Sequence, residues 1–277
     1  MAVLLALCSS ATYGVGDFFG GLAAKRAAAA AVLLWSHLVG LTLLLCVTVF
    51  VGGEVTTHDM LYGVVGGLAG AAGVGLLYQA LAIGPMSAVA PVTALLAAAV
   101  PVAAGYLQGE RPAGTAAVGM VAALVAIVLV SAEGGGSFRP SDLRGVTLAL
   151  GAGLGFGCFF VALSYTGDGS GLWPLVGARA ASVTVVGSLA LLGGVNAHLP
   201  GDRTRLLTAG AGALDVGANV LYLLAIREGL LSVVSVLSSL YPASTVVLAW
   251  LVLRERFAPM QRVGLVLAVP AVMLMAV

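Results

Sequence analysis

Four ionisable side chains stand inside long apolar stretches of this 277-residue chain: Asp17, His37, Arg179 and Asp215. A charge in such a setting costs about 2.5–3.5 kcal/mol on insertion scales, so these groups must face one another, a cavity or a water-filled path. Asp215 heads a stripe, with Asn219 and Tyr222 following at i+4 and i+7 on one helical face. Such a stripe on an apolar helix is either a cavity wall that binds a polar solute or a row of hydrogen bonds to a neighbouring helix. The cavity is favoured, because Tyr78 and Gln79 occupy the corresponding region earlier in the chain and would line its opposite wall. Asp17 follows Tyr13 by one turn in the glycine-rich stretch YGVGDFFGG. Glycines allow a close approach or a local break, so Tyr13 and Asp17 are further binding candidates and Asp17 a candidate proton carrier. Equally, Asp17 could be partly hydrated near a helix end and paired with Lys25 or Arg26. Arg179 could hold an anionic group or pair with Asp215; alternatively it snorkels to the interface. His37 suits a helix–helix hydrogen bond better than a proton relay.

The elements that position these residues follow from composition. Hydrophobic residues make up 61% of the chain and charged residues 8%, against about 25% charged in a soluble domain. Mean hydropathy is +1.12. Such a chain cannot cover a water-facing surface, so its solvent is lipid. A membrane helix needs roughly 20 apolar residues, and stretches of that kind are predicted near 2–24, 30–52, 60–82, 86–108, 113–132, 144–166, 172–194, 205–227, 230–253 and 258–276. Continuous apolar runs exclude a β-barrel, whose strands alternate. The expected fold is therefore an all-α membrane protein. The first span lacks a basic leader and is interrupted by Ser9, Ser10, Thr12 and Asp17, so it reads as a helix rather than a cleaved signal. Cys8, Cys46 and Cys158 stand singly and suggest no disulfide or metal site.

The chain also repeats itself. A shift of 145 residues places Gly84 on Gly229, Ser87 on Ser232, Leu95 on Leu240, Glu110-Arg111 on Glu255-Arg256 and Val118-Gly119 on Val263-Gly264. With a slightly different offset, Tyr13-Gly14 falls on Phe156-Gly157. The division predicted is residues 1–132, a linker at 133–142 (EGGGSFRPSD), and residues 143–277. Five spans per half make the second half enter the membrane from the opposite side, so ten helices form two five-helix inverted repeats. The Glu-Arg pairs sit at helix ends and suit exposed structural roles. Gly63, Gly66, Gly67 and Gly70 have small-xxx-small spacing and suit helix packing.

Two segments carry a resemblance to a known family: LLYQALAIGPMSAVAPVTAL through QGERP (Leu76 to Pro112) and LAIREGLLSVVSVLSSLYPASTVVLAWLVLRERFAPMQRVG (Leu224 to Gly264). They resemble the EamA domain of the drug/metabolite transporter superfamily, and Tyr13-Gly14 stands where that family often has Trp-Gly. The resemblance implies ten helices and secondary transport of a small metabolite or drug-like solute. Export is the commoner direction in that family and uptake the alternative; protons are a candidate coupling ion. No cofactor, metal or nucleic-acid partner is expected. An enzyme would need an HExxH, a GxSxG or a close carboxylate pair, and a sensor or scaffold a soluble output domain; neither is written in this sequence.

Charge sets the expected orientation in the cell membrane. Lys25, Arg26, Arg139, Arg144, Arg203, Arg205, Arg254, Arg256 and Arg262 fall on one side of the predicted spans, and only Arg111 and Arg227 on the other. The positive-inside rule puts the crowded side in the cytoplasm and both termini outside. The family resemblance more often implies cytoplasmic termini.

Overall fold

Hydrocarbon offers no water to a backbone N–H or C=O, so each apolar stretch must close its own hydrogen bonds as a helix. The computed structural model describes residues 1–83, 86–131, 142–194, 196–253 and 258–277. These form α1 (Ala2–Ala24), α2 (Ala29–Val51), α3 (Thr57–Ile83), α4 (Met86–Leu107), α5 (Gly114–Ser131), α6 (Asp142–Ser164), α7 (Trp173–Leu192), α8 (Gly201–Glu228), α9 (Leu231–Ser238), α10 (Tyr241–Leu253) and α11 (Pro259–Ala276). A short 3-10 turn, Asp168–Ser170, precedes α7. No strand occurs among the described residues, and the protein is all-α. Eight helical stretches are long and apolar enough to cross a membrane, and Val92–Leu107 and Gly114–Val130 are shorter apolar helices. The expected linker lies outside the described residues except Asp142, with which α6 opens, and so do Glu255 and Arg256.

The outer surface is greasy. Phe50, Leu107, Leu191 and Leu192 are each more than four-fifths exposed, which suits contact with lipid chains.

The stretch expected as one helix over 230–253 is broken instead, at Ser239 and Leu240. Pro242 supplies the reason: it has no N–H to give the Ser238 carbonyl, and its ring crowds that carbonyl. The chain crosses the break on tighter bonds, Leu240 N donating to Leu237 O (3.2 Å) and Ala243 N to Leu240 O (2.9 Å). Leu231–Val252 still reads as one apolar crossing, bent at its centre.

Helices pack mainly across the two halves. α1 lies on α8 and on the broken α9–α10 pair, α3 on α6 and α7, α2 on α7 and α8, α4 on α6 and α9, and α5 on α11. Exchanging each helix with its counterpart in the other half returns the same set of pairs. Glycine makes the contacts close. A Cβ added at Gly67 would strike the backbone of Ala178 in α7, and one at Gly212 the backbone of Ser36 in α2. Gly63 approaches Pro174 on the same face as Gly67, while Gly66 and Gly70 face Phe159 of α6. Gly119 meets Ala271 and Gly264 meets Val130, joining α5 to α11 from both sides.

Glu110 does not pair with Arg111. Its carboxylate accepts the backbone N–H groups of Leu231 (2.5 Å) and Ser232 (3.0 Å), capping α9 from the other half of the chain. Arg111 bonds backbone carbonyls, including that of Glu110 (2.8 Å).

Thermal unfolding in detergent tests the glycine contacts. Gly67→Ala should cost about 1–3 kcal/mol by overpacking. Gly75→Ala, where nothing lies within 4 Å of an added Cβ, should be neutral or gain about 0.5–1 kcal/mol of helix propensity. Equal melting temperatures for the two variants would remove the close contact from the account.

Candidate functional site

Where the glycine faces bring α3 and α8 against their neighbours, the longer side chains of α1, α2, α6, α7 and α10 leave a cavity. Its polar wall is drawn from both halves: Tyr13, Asp17 and His37 from the first, Arg179, Asp215 and Asn219 from the second. A smaller hollow shares Tyr13, Asp17, His37 and Asp215 with it and runs on past Ser36 and Ala211. These residues stand well inside their helices, where insertion of a charge is costly.

Most of the polar groups are satisfied by one another. Arg179 pairs with the Asp215 carboxylate, with side chains 11% and 31% exposed respectively. The reading in which Arg179 snorkels to the interface is therefore corrected: its guanidinium finds a carboxylate in the interior, which removes the reason to reach for water. Asn219 Nδ2 donates to the Asp215 carbonyl (2.6 Å), and its Oδ1 accepts from the Tyr13 hydroxyl (2.8 Å). Ser182 Oγ donates to the Arg179 carbonyl (3.0 Å), which uses its only proton. His37 Nδ1 lies 2.9 Å from that Oγ, so with the Ser182 proton given to the Arg179 carbonyl the imidazole donates from Nδ1.

Asp17 differs. Among the described residues its carboxylate has no hydrogen bond and no ion pair, although it faces the cavity. Pairing with Lys25 or Arg26 does not occur; both are exposed past the end of α1.

Two expected residues stand elsewhere. Tyr222 is fully buried behind the wall, its hydroxyl 2.7 Å from Ser235 Oγ and its ring stacked on Phe160 at 4.1 Å. Gln79 is exposed, because the cavity face of α3 runs through Gly67, Gly70 and Val74, and Gln79 falls off that helical stripe. The side chain of Tyr78 lies outside the described residues. Sequence reasoning missed Tyr241, Ser182 and the Phe159–Phe160 pair, all of which line the cavity. Tyr241 had a signal, since the Pro242 beside it marks a break in mid-span. The tyrosine and phenylalanine rings form a connected set, Tyr241 to Tyr13 at 6.5 Å and Tyr13 to Phe160 at 6.2 Å.

The ion pair makes its own prediction. Asp215→Asn leaves Arg179 charged in the interior, which costs about 3–5 kcal/mol when fully buried; the partial exposure of Asp215 to the cavity should bring this to about 2 kcal/mol. Arg179→Leu in the same molecule should recover much of the loss, because no charge is then stranded. A double-mutant cycle on melting temperature reads both. Strictly additive losses would mean that the pair is not coupled.

Comparison with known proteins gives a consistent placement. The model of the EamA-like transporter family matches residues 1–132 and again residues 143–277. One solved crystal structure superposes with a TM-score of 0.81 at 17% sequence identity, covering 99% of this chain and 95% of that one, a likeness of fold. No curated protein matches. Nearly every residue thus falls within one family in two copies, and its helices are long and apolar enough for repeated membrane crossings. The chain belongs to the EamA-like transporter family, as a multi-pass membrane protein of the drug/metabolite transporter type.

Proposed function

We propose that this chain is a secondary transporter of the cell membrane that exports a small metabolite or drug-like solute, with protons as the coupling ion. Ten helices form two inverted five-helix repeats, residues 1–132 and 143–277, joined by the linker at 133–142. The observation that carries the reading is the cavity lined by polar side chains of both halves, deep within the helices, at the interface where the halves interlock. Exchange symmetry in the packing of α1–α5 against α6–α11 supports it, because an odd number of crossings per half inverts the second repeat. Rocking one half against the other would then open the cavity to each side in turn. Asp17, Asp215, Arg179, Asn219, Tyr13 and His37 are the proposed solute-binding groups, with Asp17 the proton carrier. Tyr222 supports the wall through Phe160.

Flux from proteoliposomes preloaded with amino acids, nucleosides, sugars and amines tests transport. Protein-dependent efflux that accelerates under an opposing proton gradient is the expected result. Absence of flux for every class would overturn the reading, and flux indifferent to the gradient would remove the proton from it.

Orientation is tested separately, in a cysteine-free background in intact cells. With the basic loops cytoplasmic, a cysteine at Ser137 should be shielded from an impermeant maleimide, and one at Thr115 should react. The reverse pattern would put both termini in the cytoplasm.

A further inference from the structure

We infer that the solute of this cavity is a monovalent organic cation with an aromatic or apolar body, held by the Asp17 carboxylate against the rings of Tyr13, Phe160 and Tyr241. The inference rests on reading the cavity as the transport site.

Charge is the first ground. With His37 in its neutral form, the cavity wall holds two carboxylates and one guanidinium. The guanidinium is committed to Asp215, so the uncompensated charge is a single negative one, on Asp17. A carboxylate in this setting is costly until a cation or a proton joins it. An anionic solute, or the carboxylate of a zwitterion, would find the cation of the described wall, Arg179, already paired and would have to break that ion pair to bind.

The remaining wall is the second ground. Phe156, Phe159, Phe160, Tyr13 and Tyr241 present aromatic surface from α1, α6 and α10. A cation over such faces gains about 0.5–1 kcal/mol where exposed and about 2 kcal/mol where desolvated. Among the described residues the Tyr241 hydroxyl makes no hydrogen bond, and it shares the cavity with Asp17; it is therefore free to take a proton of an ammonium group that Asp17 does not. Among the described residues the other polar groups of the wall are largely bonded to one another, so a sugar or nucleoside would lose hydrogen bonds to water that they do not replace.

Four probes of one shape and different charge separate the cases: phenethylamine (cation), 2-phenylethanol (neutral), phenylpropionate (anion) and phenylalanine (zwitterion). Titration calorimetry on the detergent-purified full chain should show the amine binding at least about tenfold tighter than the alcohol, the margin expected of a hydrogen-bonded charge. Asp17→Asn should abolish that margin and Asp17→Glu should keep it. Without any variant, phenethylamine should also protect Asp17 from carbodiimide labelling, read by mass spectrometry of its peptide. Tighter binding of phenylpropionate or phenylalanine than of the amine, or labelling of Asp17 unaffected by the amine, would overturn the inference. Binding and transport fail separately. If phenethylamine binds through Asp17 yet does not cross proteoliposome membranes, the transport reading falls and the ligand class stands. If the protein moves solutes equally well as Asp17→Asn, transport stands and the ligand class falls.

Discussion

Lipid chains are as apolar as leucine, so membrane helices gain little by hiding apolar surface from their surroundings. They associate through close packing and hydrogen bonds. In this protein the close packing is concentrated where glycine on one half meets backbone of the other: Gly67 on Ala178, Gly212 on Ser36, Gly119 on Ala271, Gly264 on Val130. Gly67 and Gly212 stand 145 residues apart, as do Gly119 and Gly264. Each close approach is therefore made twice, once by each half, and the cavity is what remains between helices fixed at those points.

Around these contacts the two halves keep their packing but differ in chemistry. Beside Ala178 stands Arg179, and beside Ser36 stands His37. Three residues past Gly67 comes Gly70, and three past Gly212 comes Asp215. Equivalent positions thus hold the Arg179–Asp215 ion pair in the second half and an imidazole and a bare glycine in the first, all lining the same cavity. Substitution at the glycine contacts would separate helices, whereas substitution one residue or one turn away leaves the helix spacing and changes what the cavity presents, provided a charge placed there has its partner. That difference in cost explains how one repeat can carry Arg179 and Asp215 while its twin carries His37 and Asp17 without loss of the shared architecture.

Helices were legible in the sequence because hydrocarbon admits no alternative: α1, α2 and α4 follow the expected spans to within a residue, while α3 and α8 run up to a turn beyond theirs on polar residues at their ends. Cavity residues were legible where a polar group stood alone in an apolar run, as Asp17, His37, Arg179 and Asp215 do. Partnership was not. Nothing in the spacing of Arg179 and Asp215 decides between an ion pair and snorkelling, since that depends on how α7 and α8 face one another across α2. Tyr222 shares a helical face with Asp215, yet Ser235 of α9 takes its hydroxyl, and α9 is placed by a break that the apolar count of 230–253 conceals. Gln79 illustrates the same limit: one residue's rotation about α3 moves a side chain from the cavity to the exterior.

One end of the bundle is fastened across the halves. The loop after α2 lies on the loop before α7: Glu54 N donates to the Gly169 carbonyl (2.9 Å), and Asp59 accepts from Gly167 N (2.7 Å). Arg227 braces the second loop through the carbonyls of Gly167 and Gly171 and the Ser170 hydroxyl. At the same end, Glu110 of the first half holds the start of α9 in the second. A neutral hydrogen bond contributes about 0.5–1.5 kcal/mol net and one to a charged group about 1.5–3 kcal/mol. Several such bonds broken together amount to more than the few kcal/mol that separate two populated conformations of one protein. Separation of the halves at this end therefore cannot occur by fluctuation of a single loop; it requires that contacts formed elsewhere in the same movement offset most of what is lost. The packing of each half repeats that of the other, so under the proposed rocking of one half against the other the contacts that offset this loss would form at the opposite end.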